Sequence, residues 1–318
     1  MTCLHFAACW FALTRPHRLL PQFRCFGLTR VTNGFSAKNM CDRRRYRYIL
    51  PEWALLPPAR GPDPSGTPSP DAEAALTALN TVLGCYVGTH SFHNFTPRCR
   101  HGDGHVKRYV LSFQALPGIR DIHGHRVAVL EVVGQSFLLN QIRKMVGAAV
   151  AVHRGVLPAD YVHTALTSRE GVHTPCAPEV GLYLAESMFG AYNKRWAASH
   201  AALELSQFGQ QVEEFEAAHV LRHIVDTDAT TSAFAGFVAM LHDDTRRRAA
   251  ELEDAQTGEG QAGDDDGGEE GAEPAVAAVG APSPASKADA APAQTAAAPA
   301  ARPKVVWRKA APTAAPPG

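Results

Sequence analysis

Residues 127–155, "VAVLEVVGQSFLLNQIRKMVGAAVAVHRG", constrain the fold most. The first eight, 127–134, are mostly β-branched or apolar and read as a strand. From Ser136 the apolar spacing changes. Leu138, Ile142, Met145, Val146 and Ala149 fall on one stripe, which predicts a helix over 136–155. Gly155 and Pro158 stop it. An apolar strand followed at once by a one-faced helix needs a shared core to receive both.

The neighbouring segments fit that core. "KRYVLSFQAL" reads as a strand and "GIRDIHGHR" as a turn, so with 127–134 they make a hairpin. Residues 45–50, "RYRYIL", alternate. Tyr46, Tyr48 and Leu50 share one face of a strand, while Arg45, Arg47 and Ile49 share the other. Pro51 ends or edges it. "PPARGPDPSGTPSPD", 57–71, is a loop by composition. Residues 71–86 carry Ala75, Leu76, Leu79 and Leu83 at helical spacing, with Asp71 available as a cap. A short helix is expected near 158–168, a loop and strand over 177–189, and more helix over 200–245. Helix, hairpin, helix, strand is an α+β order with a largely antiparallel sheet.

Charge divides the chain. Residues 1–200 hold 22 Lys and Arg against 12 Asp and Glu, whereas 201–318 hold 9 against 19. A basic folded part suits a polyanion such as nucleic acid, with chance surface composition as the bland reading. From about Ala255 onward Ala, Pro, Gly and acidic residues dominate, so the tail 251–318 reads as disordered. The seven cysteines are odd in number and irregularly spaced, which favours a reducing compartment over a disulfide framework. No run reaches transmembrane length. The first 41 residues contain no acid, as in a transit peptide. Their Cys, Phe and Trp content suits a misread gene start equally.

Two places could carry chemistry. "GTHSFHNFTP" holds His90 and His93, with Cys85 and Cys99 nearby, and suggests zinc. The two histidines interleave with Phe92 and Phe95, so an aromatic turn with hydrogen-bonded histidines is the favoured reading, with no metal and no organic cofactor. Arg143 and Lys144 lie inside an otherwise apolar helix. Arg143 there either finds an anionic partner or snorkels to the surface. There is no Walker loop, no G-x-G-x-x-G after a strand and no G-x-S-x-G.

Four blocks in order, "LPQFRCFGLTRVTNGFSAKNMCDRRRYRYILP", "GTHSFHNFT", "VVGQSFLLNQIRKMVGAAVAVHRG" and "APEVGLYLAESMFGAYNKRW", resemble the TruA-type tRNA pseudouridine synthases. They are most similar to the eukaryotic nuclear and mitochondrial branch. "VEEFEAAHVLRHIVDTD", 212–228, is similar to that branch's C-terminal helical extension. The resemblance runs from about Leu19 to about Asp244. It implies a pseudouridine synthase fold, a mixed and mostly antiparallel sheet with flanking helices. It divides the chain into an unassigned 1–18, a catalytic-domain part 19–200, an extension 201–250 and the tail.

The resemblance also implies the reaction and its parts. Uridine in tRNA, or in other RNA, is detached from its ribose and reattached through carbon, with an aspartate as nucleophile. A tyrosine stacks on the base, which falls on Tyr46. A basic residue pairs with the aspartate, which falls on Arg143. A hydrophobic wall falls on Leu182. Arg43, Arg44, Arg45, Arg47 and Lys144 are expected to meet RNA phosphates. The nucleus is the expected compartment, with the mitochondrion as alternative.

The family's R-T-D-x-G-V-H-A nucleophile block has no counterpart in this sequence. Asp42 is the only acid before Tyr46 and belongs to a different block. Two readings follow: a truncated form of an active enzyme, or a non-catalytic RNA-binding half-domain. Both predict that the chain as written is inactive. Half a sheet also predicts an exposed edge and an uncovered core face, hence a tendency to aggregate.

Overall fold

The computed structural model describes residues 23–56 and 71–243. The unassigned segment 1–18, most of the 57–71 loop, the end of the helical extension and the whole tail lie outside the described residues.

The alternating "RYRYIL" becomes the centre of strand β1 (Arg43–Pro51). The remaining strands are β2 (Gly88–Ser91), β3 (Lys107–Ala115), β4 (Arg120–Ile122), β5 (His125–Gly134) and β6 (Leu182–Met188). They form one sheet in the order β2-β3-β5-β1-β6, with β4 beside the start of β5. Every pairing among the described residues is antiparallel. Tyr46 lies between Val132 of β5 and Leu184 of β6. The register shifts between Arg45 and Tyr46 against β6, and between Val110 and Ser112 against β5. Both irregularities flank the level of Tyr46, and bulges of this kind raise the local twist.

One sheet face carries Tyr48, Leu50, Phe113, Leu130 and Val132. Helices α1 (Ala72–Gly84) and α2 (Gln141–His153) cover it with Leu76, Leu79 and Leu83, and with Ile142, Met145, Val146 and Ala149. Helix α3 (Tyr161–Thr167) closes the side of that core, and Phe234 and Phe237, from the helix α7 at 233–243, enter it as well. The opposite face presents Ile49, Val127 and Val129. Leu221, Ile224 and Val225 pack on these. They come from a continuous helical rod made of α5 (Gly209–Phe215), a π-helical stretch (Glu216–Leu221) and α6 (Arg222–Thr231). Helix α4 (Gly190–Trp196) follows β6 directly. No described helix is long and apolar enough to cross a membrane.

Four expectations are corrected. The long helix begins at Gln141, not Ser136. Asn140 takes a left-handed conformation, φ 60°, and Gln141 Oε1 accepts the Leu138 amide, so the chain turns before the helix starts. Leu138 still packs on the core. The "GIRDIHGHR" turn contains β4. His123 and Gly124, both at positive φ, make a two-residue hairpin connection between Ile122 and His125. Asp71 precedes α1 without a side-chain cap bond, because its backbone is already helical. The core face expected to be uncovered is closed by the α5–α6 rod.

Candidate functional site

Strand parity sets the site. Tyr46 shares the α2-facing side of β1 with Tyr48 and Arg44. Its ring stands edge-on to Phe137, with centroids 5.5 Å apart. Phe137 can fold back because residue 134 is glycine. A Cβ there would stand 2.6 Å from the Phe137 ring. Leu182 pairs with Tyr48, two residues along β6 from Leu184, the Tyr46 partner. Tyr46, Phe137 and Leu182 all pack, half-buried, on the rim of the main core. Arg44 crosses the same rim and donates to Gln135 O at 2.9 Å.

Arg143 comes from the first turn of α2. Its Nε donates to Ala177 O at 2.8 Å and its Nη1 to Glu179 Oε2 at 3.3 Å. Its own carbonyl accepts the Ala177 amide. The guanidinium is thus fixed on the segment that leads into β6, on the Leu182 side. It also lies close to the buried Tyr48 hydroxyl, which donates to Pro178 O. Burial pushes that hydroxyl's pKa well above the usual value, and the Arg143 charge opposes the shift. The anionic partner that Arg143 required is Glu179, whose side chain is 84% exposed. A carboxylate so exposed is exchangeable, so Arg143 remains able to hold another anion.

The other arginines separate by face. Arg45 pairs with Glu186 at 2.9 Å and approaches Glu131 at 3.7 Å. Arg47 pairs with Glu131 at 3.1 Å and Glu216 at 3.0 Å. Tyr183 also donates to Glu216. Burial alone would lower the Arg47 pKa, but Glu216 and Glu131 hold it above its ordinary value. Burial and then the Glu216 charge push the Tyr183 hydroxyl up. Arg47 therefore holds the α5–α6 rod to the back of the sheet, while Arg45 ties β1 to its neighbours β5 and β6. Both arginines, expected to meet RNA phosphates, have carboxylate partners within the chain. Arg43 is exposed and, like Arg44, has no carboxylate partner among the described residues. Lys144 is half-buried and donates to Asn94 O, and burial lowers its pKa.

The four alternative zinc candidates, Cys85, His90, His93 and Cys99, are not brought together. Cys85 donates to Thr81 O on its own helix, and His90 bonds Val87 O. His93 is buried and its ring nitrogens meet Ser91 Oγ and Ser168 O. This is the aromatic turn with hydrogen-bonded histidines. Only Cys99 of the four belongs to a group with metal-ligand spacing, and its companions are Asp103 and His105.

Sequence reasoning missed Phe137, although it lies in the "GQSFLLNQIRKMVG" block. It also missed Glu131, Glu186 and Glu216, whose partners are 84 to 169 residues away. No local pattern announces those pairs. Asp42 gains a structural task, since its Oδ2 accepts the Ala191 amide at the start of α4.

The sheet is antiparallel and backed by helices, with Tyr46 and Leu182 on its main core and Arg143 fixed on the segment that leads into β6. Residues 84–190 match the model of the tRNA pseudouridine synthase family. The match includes Arg143 and Leu182. The chain is 36% identical over 223 residues to the pseudouridylate synthase 1 homolog of Homo sapiens, covering 69% of this chain and 51% of that protein. It is 30% identical over 240 residues to the tRNA pseudouridine(27/28) synthase of Saccharomyces cerevisiae, covering 56% of this chain and 62% of that protein. The tRNA pseudouridine synthase 1 of Candida albicans is 24% identical over 315 residues. The chain spans about half to three fifths of the length of these relatives.

Proposed function

We propose that this chain supplies the base-holding wall of a tRNA pseudouridine synthase, which isomerises uridine to pseudouridine. The observation that carries this reading is the convergence of Tyr46, Leu182 and Arg143. Three segments far apart in sequence carry them: Tyr46 and Leu182 pack on the same core, and Arg143 binds Ala177 O in the segment that leads into β6. Tyr46, held edge-on by Phe137, offers its ring to a flipped-out base. Leu182 closes the apolar side. Arg143 holds the nucleophilic carboxylate that attacks the ribose carbon as the bond to the base nitrogen breaks. The base then rotates, its carbon displaces the carboxylate from the ribose carbon, and that base carbon's proton is lost while the freed nitrogen takes one up. No atom is gained or lost, so the chemistry needs no redox partner and no organic cofactor.

Asp42, whose Oδ2 accepts the Ala191 amide at the start of α4, is not assigned the nucleophile's role in this reading. The 318-residue chain assayed alone is therefore expected to bind tRNA without converting it. Unmodified tRNA incubated with the purified chain and mapped by carbodiimide labelling tests this. Turnover that survives Tyr46→Ala would remove the assigned wall. Failure to retain tRNA at low salt would remove the substrate class.

A further inference from the structure

We infer that Cys99, Asp103 and His105 form a zinc-type site on the loop that leads into β3. Their donor atoms all lie within 4.8 Å of one another. Cys99 Sγ stands 3.4 Å from His105 Nε2. Tetrahedral zinc with bonds of about 2.3 Å to sulfur and about 2.0 Å to nitrogen separates those two atoms by roughly 3.6 Å. The pair is thus already near the spacing that one shared ion imposes. A thiolate, a carboxylate and a neutral imidazole also balance the ion's two positive charges. Soft sulfur with imidazole selects zinc over magnesium or calcium, which prefer all-oxygen shells.

The ligands are held from outside. The Arg100 amide donates to Asp103 Oδ2 at 2.9 Å and orients the carboxylate, as second-layer bonds do in metal sites. Arg98 and Gly102, both at positive φ, fold the loop so that residues four and six positions after Cys99's neighbourhood return to its thiol side. His101 stacks edge-on to the buried His93, with centroids 5.1 Å apart, which seats the loop on the aromatic turn. Three protein ligands leave the fourth position to water on the exposed side. The ion's task is to pin the loop between the His93 turn and β3. This inference does not depend on the RNA reading.

The test strips the purified, reduced chain with a chelator and titrates it with cobalt(II), followed by displacement with zinc. One equivalent of cobalt should bind with a thiolate charge-transfer band and a tetrahedral ligand-field spectrum. Cys99→Ser should abolish the band. Asp103→Asn and His105→Asn should each weaken cobalt binding by about 10-fold or more. Cys85→Ser with His90→Asn should change nothing. The loop is largely exposed, so far-UV circular dichroism should be unchanged in every variant, and Asp103→Asn reports even if the cysteine variant misfolds. Cobalt bound without a thiolate band overturns the site. So does a band that persists in Cys99→Ser, or one that is lost with Cys85.

Discussion

Gly147 lies mid-helix, where glycine costs stability unless close packing requires it. A Cβ there would stand 2.3 Å from Pro175 O and 3.0 Å from the Ala177 amide. The missing side chain lets the 175–178 segment lie directly on α2, which in turn seats Arg143 against Ala177 O. Gly147→Ala should therefore cost about 1–3 kcal/mol through overpacking, read as a lower denaturant midpoint. Gly84→Ala is the control. Nothing lies within 4 Å of that added Cβ, so it should be neutral or mildly stabilising. Equal losses at both glycines would refute the close-packing account. His153 is the second residue with a consequence. Its Nε2 donates to Leu55 O, and burial lowers its pKa, aided by the neighbouring Arg154 charge. The unfolded chain thus binds the proton more readily. Stability is whole above the unfolded value near 6.5 and falls as pH drops below it toward the folded value. His153→Gln, which keeps a donor, should flatten that part of a melting-temperature profile. An unchanged slope would show that other groups set it.

At the scale of elements, β1 joins two halves of the molecule. One side carries Tyr46, and the other carries Arg47, which holds the α5–α6 rod. The π-helical stretch begins at Glu216, the residue that reaches both Arg47 and Tyr183. Glu216→Gln should cost about 2–3 kcal/mol, the low side of a broken buried pair because Arg47 keeps Glu131. Hydrogen exchange should speed up in 216–225 before it does in α2. Protection lost uniformly across the sheet would argue against a local clamp. These elements also show what a sequence discloses. Strands β1, β3 and β5 and helices α1 and α2 were legible because burial on one face writes a period into the chain. The starts of α2 and β5 were not, because each depends on one or two left-handed residues, Asn140 and the His123-Gly124 pair. Tyr46, Arg143 and Leu182 were identified through family blocks, while the carboxylates that claim Arg45 and Arg47 come from distant strands and the rod. Alternation told which side those arginines occupy, but not that it was already filled.

For the whole molecule, the surplus of positive charge in residues 1–200 matters only where it stays free of carboxylates. The pairing above divides one run of four arginines into two kinds. Neither Arg43 nor Arg44 has an ion pair among the described residues, and only Arg44 shares the Tyr46 face, whereas Arg45 and Arg47 are neutralised behind the sheet. Each phosphate contact contributes about 0.7–0.9 to the log–log dependence of RNA affinity on salt. If tRNA lies along the Tyr46 rim, replacing Arg44 by alanine should flatten that slope by about 0.7–0.9. Arg45→Ala or Arg47→Ala should leave the slope alone and lower the denaturant midpoint instead. Tyr46→Ala should change neither slope nor stability greatly, since a stacking ring carries no charge. Fluorescence anisotropy with labelled tRNA at several salt concentrations measures all four variants alike. A slope that drops equally for Arg45→Ala would mean that the ion pairs open on binding, and that RNA reaches the back of the sheet and competes with the rod for it.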